Sequence, residues 1–90
     1  MTDWKKAGTI VHEQGRTVIY KPDPEPRHAQ FTIESRKRAI PHSNRSGTWD
    51  FTSYFVCRDG VDLIEKNSLA DAKREAELIM WRDKKKWQLL

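Results

Sequence analysis

Trp49-Asp50-Phe51-Thr52-Ser53-Tyr54-Phe55-Val56-Cys57-Arg58, closed by Asp59-Gly60, is the stretch whose reading decides the fold. Aromatic and β-branched residues dominate it, and these suit a pleated, half-buried surface. Alternation sets Trp49, Phe51, Phe55 and Cys57 on one face, and Asp50, Thr52, Tyr54, Val56 and Arg58 on the other. The first set is the more apolar and is expected to face the core. Asp59-Gly60 supplies two residues that tolerate positive φ, as a two-residue hairpin turn requires. With that turn, Phe55 falls opposite Ile64 and Val56 opposite Leu63, so apolar residues pair across the ladder.

Asn67-Ser68 ends the second strand of this hairpin. Ser68 can accept the free amide bonds of the following turn, with Asp71 in the reciprocal position of a capping box. At 100° per residue, Leu69, Ala72, Ala76, Ile79, Met80 and Trp87 form one apolar stripe. Acids come early (Asp71, Glu75, Glu77) and bases late (Arg82, Lys84, Lys85, Lys86), which complements the helix dipole. The spacing predicts a helix over 69–86, with Leu69, Ala76, Ile79 and Met80 packed on Phe31, Phe51 and Phe55.

Upstream, residues 1–7 read as a polar lead-in anchored by Trp4. Thr9-Ile10-Val11-His12 and Thr17-Val18-Ile19-Tyr20 are two strands about a Gln14-Gly15 turn, which sets Val11 opposite Val18 and Ile10 opposite Ile19. Residues 21–28 hold three prolines at alternate positions, which removes amide donors and makes a stiff loop. Gln30-Phe31-Thr32-Ile33-Glu34-Ser35-Arg36 is a further strand with Phe31 and Ile33 inward, and it runs out into Arg36-Lys37-Arg38. Five strands followed by one helix predict an α+β fold, a mostly antiparallel sheet covered on one face by a C-terminal helix.

Ninety residues make one domain, and 37% hydrophobic content gives it a small core of narrow stability margin. The single cysteine excludes an internal disulfide and a Cys-only zinc site within one chain. Its position on an apolar strand face predicts a buried, unreactive thiol. No apolar run approaches membrane-spanning length and the N-terminus has no signal-peptide core, so a cytoplasmic chain without a membrane partner is expected.

Catalytic signatures are sparse. His12, His28 and His42 are scattered, and no phosphate-binding or nucleophile-elbow glycine motif occurs. His42-Ser43-Asn44-Arg45 has the His and Asn of a nuclease loop but supplies too few ligands for a metal. A non-enzymatic binding module with no cofactor is expected. Net charge of +4 is a mild bias, so the distribution of bases matters more than their sum. Arg36, Lys37 and Arg38, with Arg45 in the next loop and Lys73 early on the helix, form a candidate phosphate-binding surface. Charge beside exposed aromatics is what such a surface uses. Arg74, Leu78, Trp81 and Lys85 lie along one helix line roughly opposite the core stripe. Apolar residues there need cover, from the N-terminal segment (Trp4 foremost), from a second copy in a homodimer, or from a protein partner.

Residues 54–80, with Arg58-Asp59-Gly60 and Ser68-Leu69-Ala70-Asp71-Ala72-Lys73, resemble the C-terminal half of double-stranded-RNA-binding domains. The helix of that family begins after a similar strand, with Ser and an Ala-Lys pair. It carries lysines ahead of the pair, where Leu69, Ala70 and Asp71 stand here. The same residues resemble the sheet-plus-helix DNA-binding module at the N-terminus of phage integrases, and also small phage-encoded sheet-plus-helix proteins. The resemblance covers about a third of the chain. It implies nucleic-acid binding or, alternatively, an accessory or inhibitory role for a phage or mobile element through the Leu78/Trp81 face.

Overall fold

A computed structural model describes residues 2–13, 15–41 and 47–88, with the backbone alone for 38–41, 48–50 and 87–88. Five strands precede one helix: β1 (Asp3–His12), β2 (Gly15–Asp23), β3 (Phe31–Pro41), β4 (Thr48–Arg58), β5 (Val61–Lys66) and α1 (Leu69–Gln88). The strands form one antiparallel sheet in chain order, so the α+β architecture is the expected one.

The β4–β5 turn forms as the sequence predicts, with φ of 51° at Asp59 and 84° at Gly60. Arg58 pairs with Val61 and Cys57 with Asp62. The register then shifts, so that Val56 meets Ile64 rather than Leu63, and Phe55 meets Glu65 rather than Ile64. One extra residue in β5 moves Ile64 to the face that carries Val56.

That face, and not the Phe51/Phe55 face, lies under the helix. Ile33, Val56, Ala72 and Ala76 form the buried cluster, with Trp4, Tyr20, Tyr54, Ile64, Leu69 and Ile79 packed around it. The expected orientation of β4 is therefore reversed. Both faces of β4 carry apolar residues, so its neighbours decide. Pairing sets Ile33 beside Val56 but Glu34 beside Phe55, and covering the second pair would bury a carboxylate. Phe31 is buried as expected, whereas Phe51 is 53% exposed.

The helix keeps its predicted phase. Ala72 and Ala76 let its backbone approach the sheet, and Ser68 Oγ accepts the Asp71 amide at 3.2 Å. Glu75 reaches Lys66 at 3.8 Å, and Asp83 meets Arg58 at 3.0 Å on the sheet side. The helix ends at Gln88, two residues beyond the expected end. No described helix is long and apolar enough to cross a membrane.

Three boundaries differ from expectation. Residues 3–7 are not a lead-in but the start of β1, held by Trp4 against the core. β2 continues through Pro22 to Asp23. Its pairing with β3 stops at Tyr20, so beyond that point a proline need break no ladder bond on the open side. The first hairpin is also two residues out of the expected register, with His12 opposite Gly15, Val11 opposite Arg16 and Ile10 opposite Thr17. The helix packs on β3, β4 and β5, so little burial at β1 enforces apolar pairing there.

Five strands at about 4.8 Å spacing span roughly 19 Å, while one helix is about 10–12 Å wide. The helix covers the β3–β5 side. Along the strands, β5 pairs with β4 only over Tyr54–Arg58. Residues 36–41 and 48–53 therefore continue as a ribbon beyond both β5 and the helix, and the molecule measures 56 × 21 × 21 Å.

Candidate functional site

The basic run at the end of β3 divides by strand alternation. Arg36 lies on the helix-free face and is fully engaged. Its guanidinium donates to both oxygens of Asp62, at 2.8 and 2.9 Å, and to Glu34 Oε1 at 3.1 and 3.3 Å. The Phe55 ring lies 4.0 Å beneath it. Buried Cys57 completes the group, its one thiol hydrogen shared between Asp62 Oδ1 at 3.2 Å and Glu34 Oε2 at 3.5 Å.

These contacts set the proton affinities. Hydrogen bonds from Arg36, then from Cys57, hold the Asp62 carboxyl down at about 2. Burial first, then the bond to Asp62, pushes the Cys57 thiol up to about 12. The bonds to Asp62 raise the Arg36 guanidinium further above its ordinary range. Cys57 is thus a protonated donor at neutral pH, as its predicted inertness requires, and not a nucleophile. Glu34, Cys57 and Asp62 each bring one ligand atom within 4.8 Å of the others. A metal there would need the thiolate and would have to displace Arg36, which already balances the carboxylates. The group is a closed ion network, and Arg36 is not available to a phosphate as the sequence reading supposed.

Lys37 points to the other face and is exposed. Its direct cross-strand partner on β2 is Arg16, also exposed. Two cations opposite one another repel, and neither forms an ion pair among the described residues. Arg38 follows, its backbone opposite Gly15 on one side and exposed Phe51 on the other. The structure brings Arg16, Lys37 and Phe51 to the bare ribbon region. Sequence reading missed Arg16, because only the β2–β3 register places it opposite Lys37. Phe51 was assigned to the core. Arg45 and the rest of the 42–46 loop lie outside the described residues, as do the side chains of Arg38, Trp49 and Trp87. Lys73 is partly buried on the helix and away from the ribbon's strands in sequence.

The second set sits on the helix. Trp81 is 56% and Leu78 43% exposed, so neither is covered by the chain itself. Trp4 packs on the core cluster instead. Lys85 Nζ lies 4.3 Å over the Trp81 ring, while Arg74 turns to Asp71 at 3.9 Å. Beside Trp81 a cavity of about 650 Å³ opens between the helix (Glu77, Met80, Lys84) and the loop bearing Pro24, Pro26 and His28.

Compared with models of protein families, with curated proteins and with solved structures, the chain matches none.

Proposed function

We propose that the chain is a non-enzymatic module that binds nucleic acid through the bare ribbon, with Arg16 and Lys37 on phosphates. The observation that carries this reading is the direct opposition of Arg16 and Lys37 across the β2–β3 ladder. Like charges in that position destabilise a sheet, and an anion between them turns the repulsion into attraction. Two further features support it. Next to this row, beyond Arg38, β3 and β4 continue without β2 as a two-stranded ribbon of the kind that fits a nucleic-acid groove. Exposed Phe51, on the opposite face from Arg16 and Lys37, offers a face for a base. Arg36, held by Asp62 and Glu34, is dropped from the proposed surface. The test is fluorescence anisotropy with labelled DNA and RNA pools across a salt series. Binding should weaken steeply with salt, and Arg16→Glu with Lys37→Glu should abolish it. Neutralising either cation alone should reduce the salt slope by about 1. Binding untouched by the double reversal overturns the reading.

A second reading is supported by the cavity beside Trp81. A protein partner seated there on Met80 and Trp81 would make a contact little affected by salt. Trp81→Ala should remove that contact while leaving nucleic-acid binding intact.

A further inference from the structure

Every exposed sheet edge offers unpaired N–H and C=O groups to another strand, and proteins blunt such edges with lysine, proline, charge, bulges or shortness. In this sheet the edges can be compared with one another. The outer side of β1 carries Lys5 and Lys6 and a register irregularity at Ala7, which leaves only the five residues Gly8–His12, opened by a glycine, without such a device. β5 is six residues long, contains Asp62, Glu65 and Lys66, and has its own irregularity at Leu63. Where β2 and β3 part beyond Tyr20, the open side of β2 holds Lys21 and Pro22. Where β3 continues beyond Arg38 without β2, it ends in Pro41.

The longest stretch free of all these devices is in β4. Its residues 48–53 pair with β3 without a break in register, and β5 pairing begins only at Tyr54. The segment Thr48-Trp49-Asp50-Phe51-Thr52-Ser53 contains no lysine, arginine or proline. Its threonines and aromatics are the residue types that pair best across strands. Its length equals that of β5, the strand that closes the same side of the sheet further along.

We infer that residues 48–53 of β4 form a strand-addition surface whose occupant is a second copy of this chain. The two copies pair antiparallel about a two-fold axis, β4 to β4, and make one continuous sheet. Self-pairing suits this segment, since an antiparallel strand added to it can be the same strand reversed. Its only charge is Asp50, so no cations are brought together. Phe51, more than half exposed in one chain, gains cross-strand neighbours in the pair. The inference shares Phe51 with the nucleic-acid reading but does not use Arg16 or Lys37, so the two are tested separately.

The experiment is size-exclusion chromatography with light scattering over a wide concentration range, on wild type, on Thr48→Lys/Asp50→Lys and on Trp81→Ala. These lysines fall opposite Pro41 and Ala39 within the chain, so they add no repulsion to β3 cations. Wild type and Trp81→Ala are expected at twice the 10.6 kDa of one chain, and the double-lysine variant at the single mass. Hydrogen exchange on wild type provides a check that needs no variant to fold. Amides within 48–53 should exchange more slowly as concentration rises, while those of β1 do not. A wild type that stays at the single mass at every concentration overturns the inference. So does a dimer that survives both lysines, or one that Trp81→Ala dissolves.

Discussion

The helix-covered half of the sheet and its bare ribbon are built from the same strands, β3 and β4, by opposite rules. In the covered half, Ile33 lies opposite Val56, both fully buried beneath Ala72 and Ala76. Four rows further along the same two strands, Lys37 lies opposite Thr52 and Arg38 opposite exposed Phe51. One end of the ladder spends its side chains on packing. The other leaves them to solvent, with cations opposed and an edge open. Where stability and availability compete, the first half holds the fold, and the second is free to bind.

The largest test of that contrast is a pair of truncations. Ile33→Ala should cost about 2–5 kcal/mol, the range for a large-to-small change in a packed core. Phe51→Ala removes a larger side chain but, at concentrations low enough to keep the chain single, should change stability by no more than about 0.5 kcal/mol, as for other surface positions. Denaturant melts of both variants give the two numbers. Comparable losses would erase the distinction between the halves and restore Phe51 to the core.

The ion network at the boundary comes next. Arg36→Ala leaves Glu34 and Asp62 without their shared donor and should cost about 1.5–3 kcal/mol, the range for hydrogen bonds to charged groups. Reversal to Glu at this position would add a third carboxylate, so a loss of binding in that variant would report on folding. The network also gives a pH signature. Asp62 is held down at about 2 against an ordinary 3.8, so its contribution is complete above pH 3.8 and disappears as pH falls through 2. The Asp62 side chain is 46% exposed, and solvent screening keeps the effect small. Cys57 works in the other direction. Its thiol is raised from 9.0 to about 12, so the folded chain keeps a proton that the unfolded chain releases. That contribution is complete below pH 9 and is lost as pH rises through 12. Melting temperatures of wild type and Asp62→Asn should therefore converge in acid and separate near neutrality.

The junction between sheet and helix supplies a smaller effect. Ser68→Ala removes the acceptor for the Asp71 amide and should cost about 0.5–2 kcal/mol. A helical signal unchanged in circular dichroism with a lowered melting temperature is the expected result.

What the sequence made legible follows from what is local. The Asp59-Gly60 turn, the Ser68 cap and the phase of the helix depend on neighbours within a few residues, and all three form as read. The face of β4 was misread because both its faces are apolar in isolation. The choice belongs to β3, where Ile33 and Glu34 tell the two sides apart. The candidate site suffered from the same gap. Arg36, Lys37 and Arg38 look alike as a run, but alternation sends Arg36 toward Asp62, 26 residues away, and Lys37 to the other side. Arg16 carries no signal of its own, and it enters the site only through the pairing of β2 with β3, whose register the long connection between them leaves unspecified.

The smallest expected effect is the sharpest test, because its sign is opposite to all the others. Arg16 and Lys37 are a like-charged cross-strand pair on the uncovered part of the sheet. Replacing Arg16 with Glu makes the pair complementary, and opposite charges in this position contribute about 0.2–1 kcal/mol. Arg16→Glu should therefore raise the melting temperature slightly, and added salt should shrink the gain because the pair is exposed. The same substitution removes one proposed phosphate contact and places a carboxylate beside the other, so nucleic-acid affinity should fall as stability rises. A structural role for Arg16 predicts the reverse on the first count, and a merely solvated arginine predicts no change on the second. Thermal melts and anisotropy on this one variant measure both. A stabilised chain that no longer binds would show that the ribbon keeps its cations opposed at the expense of the fold.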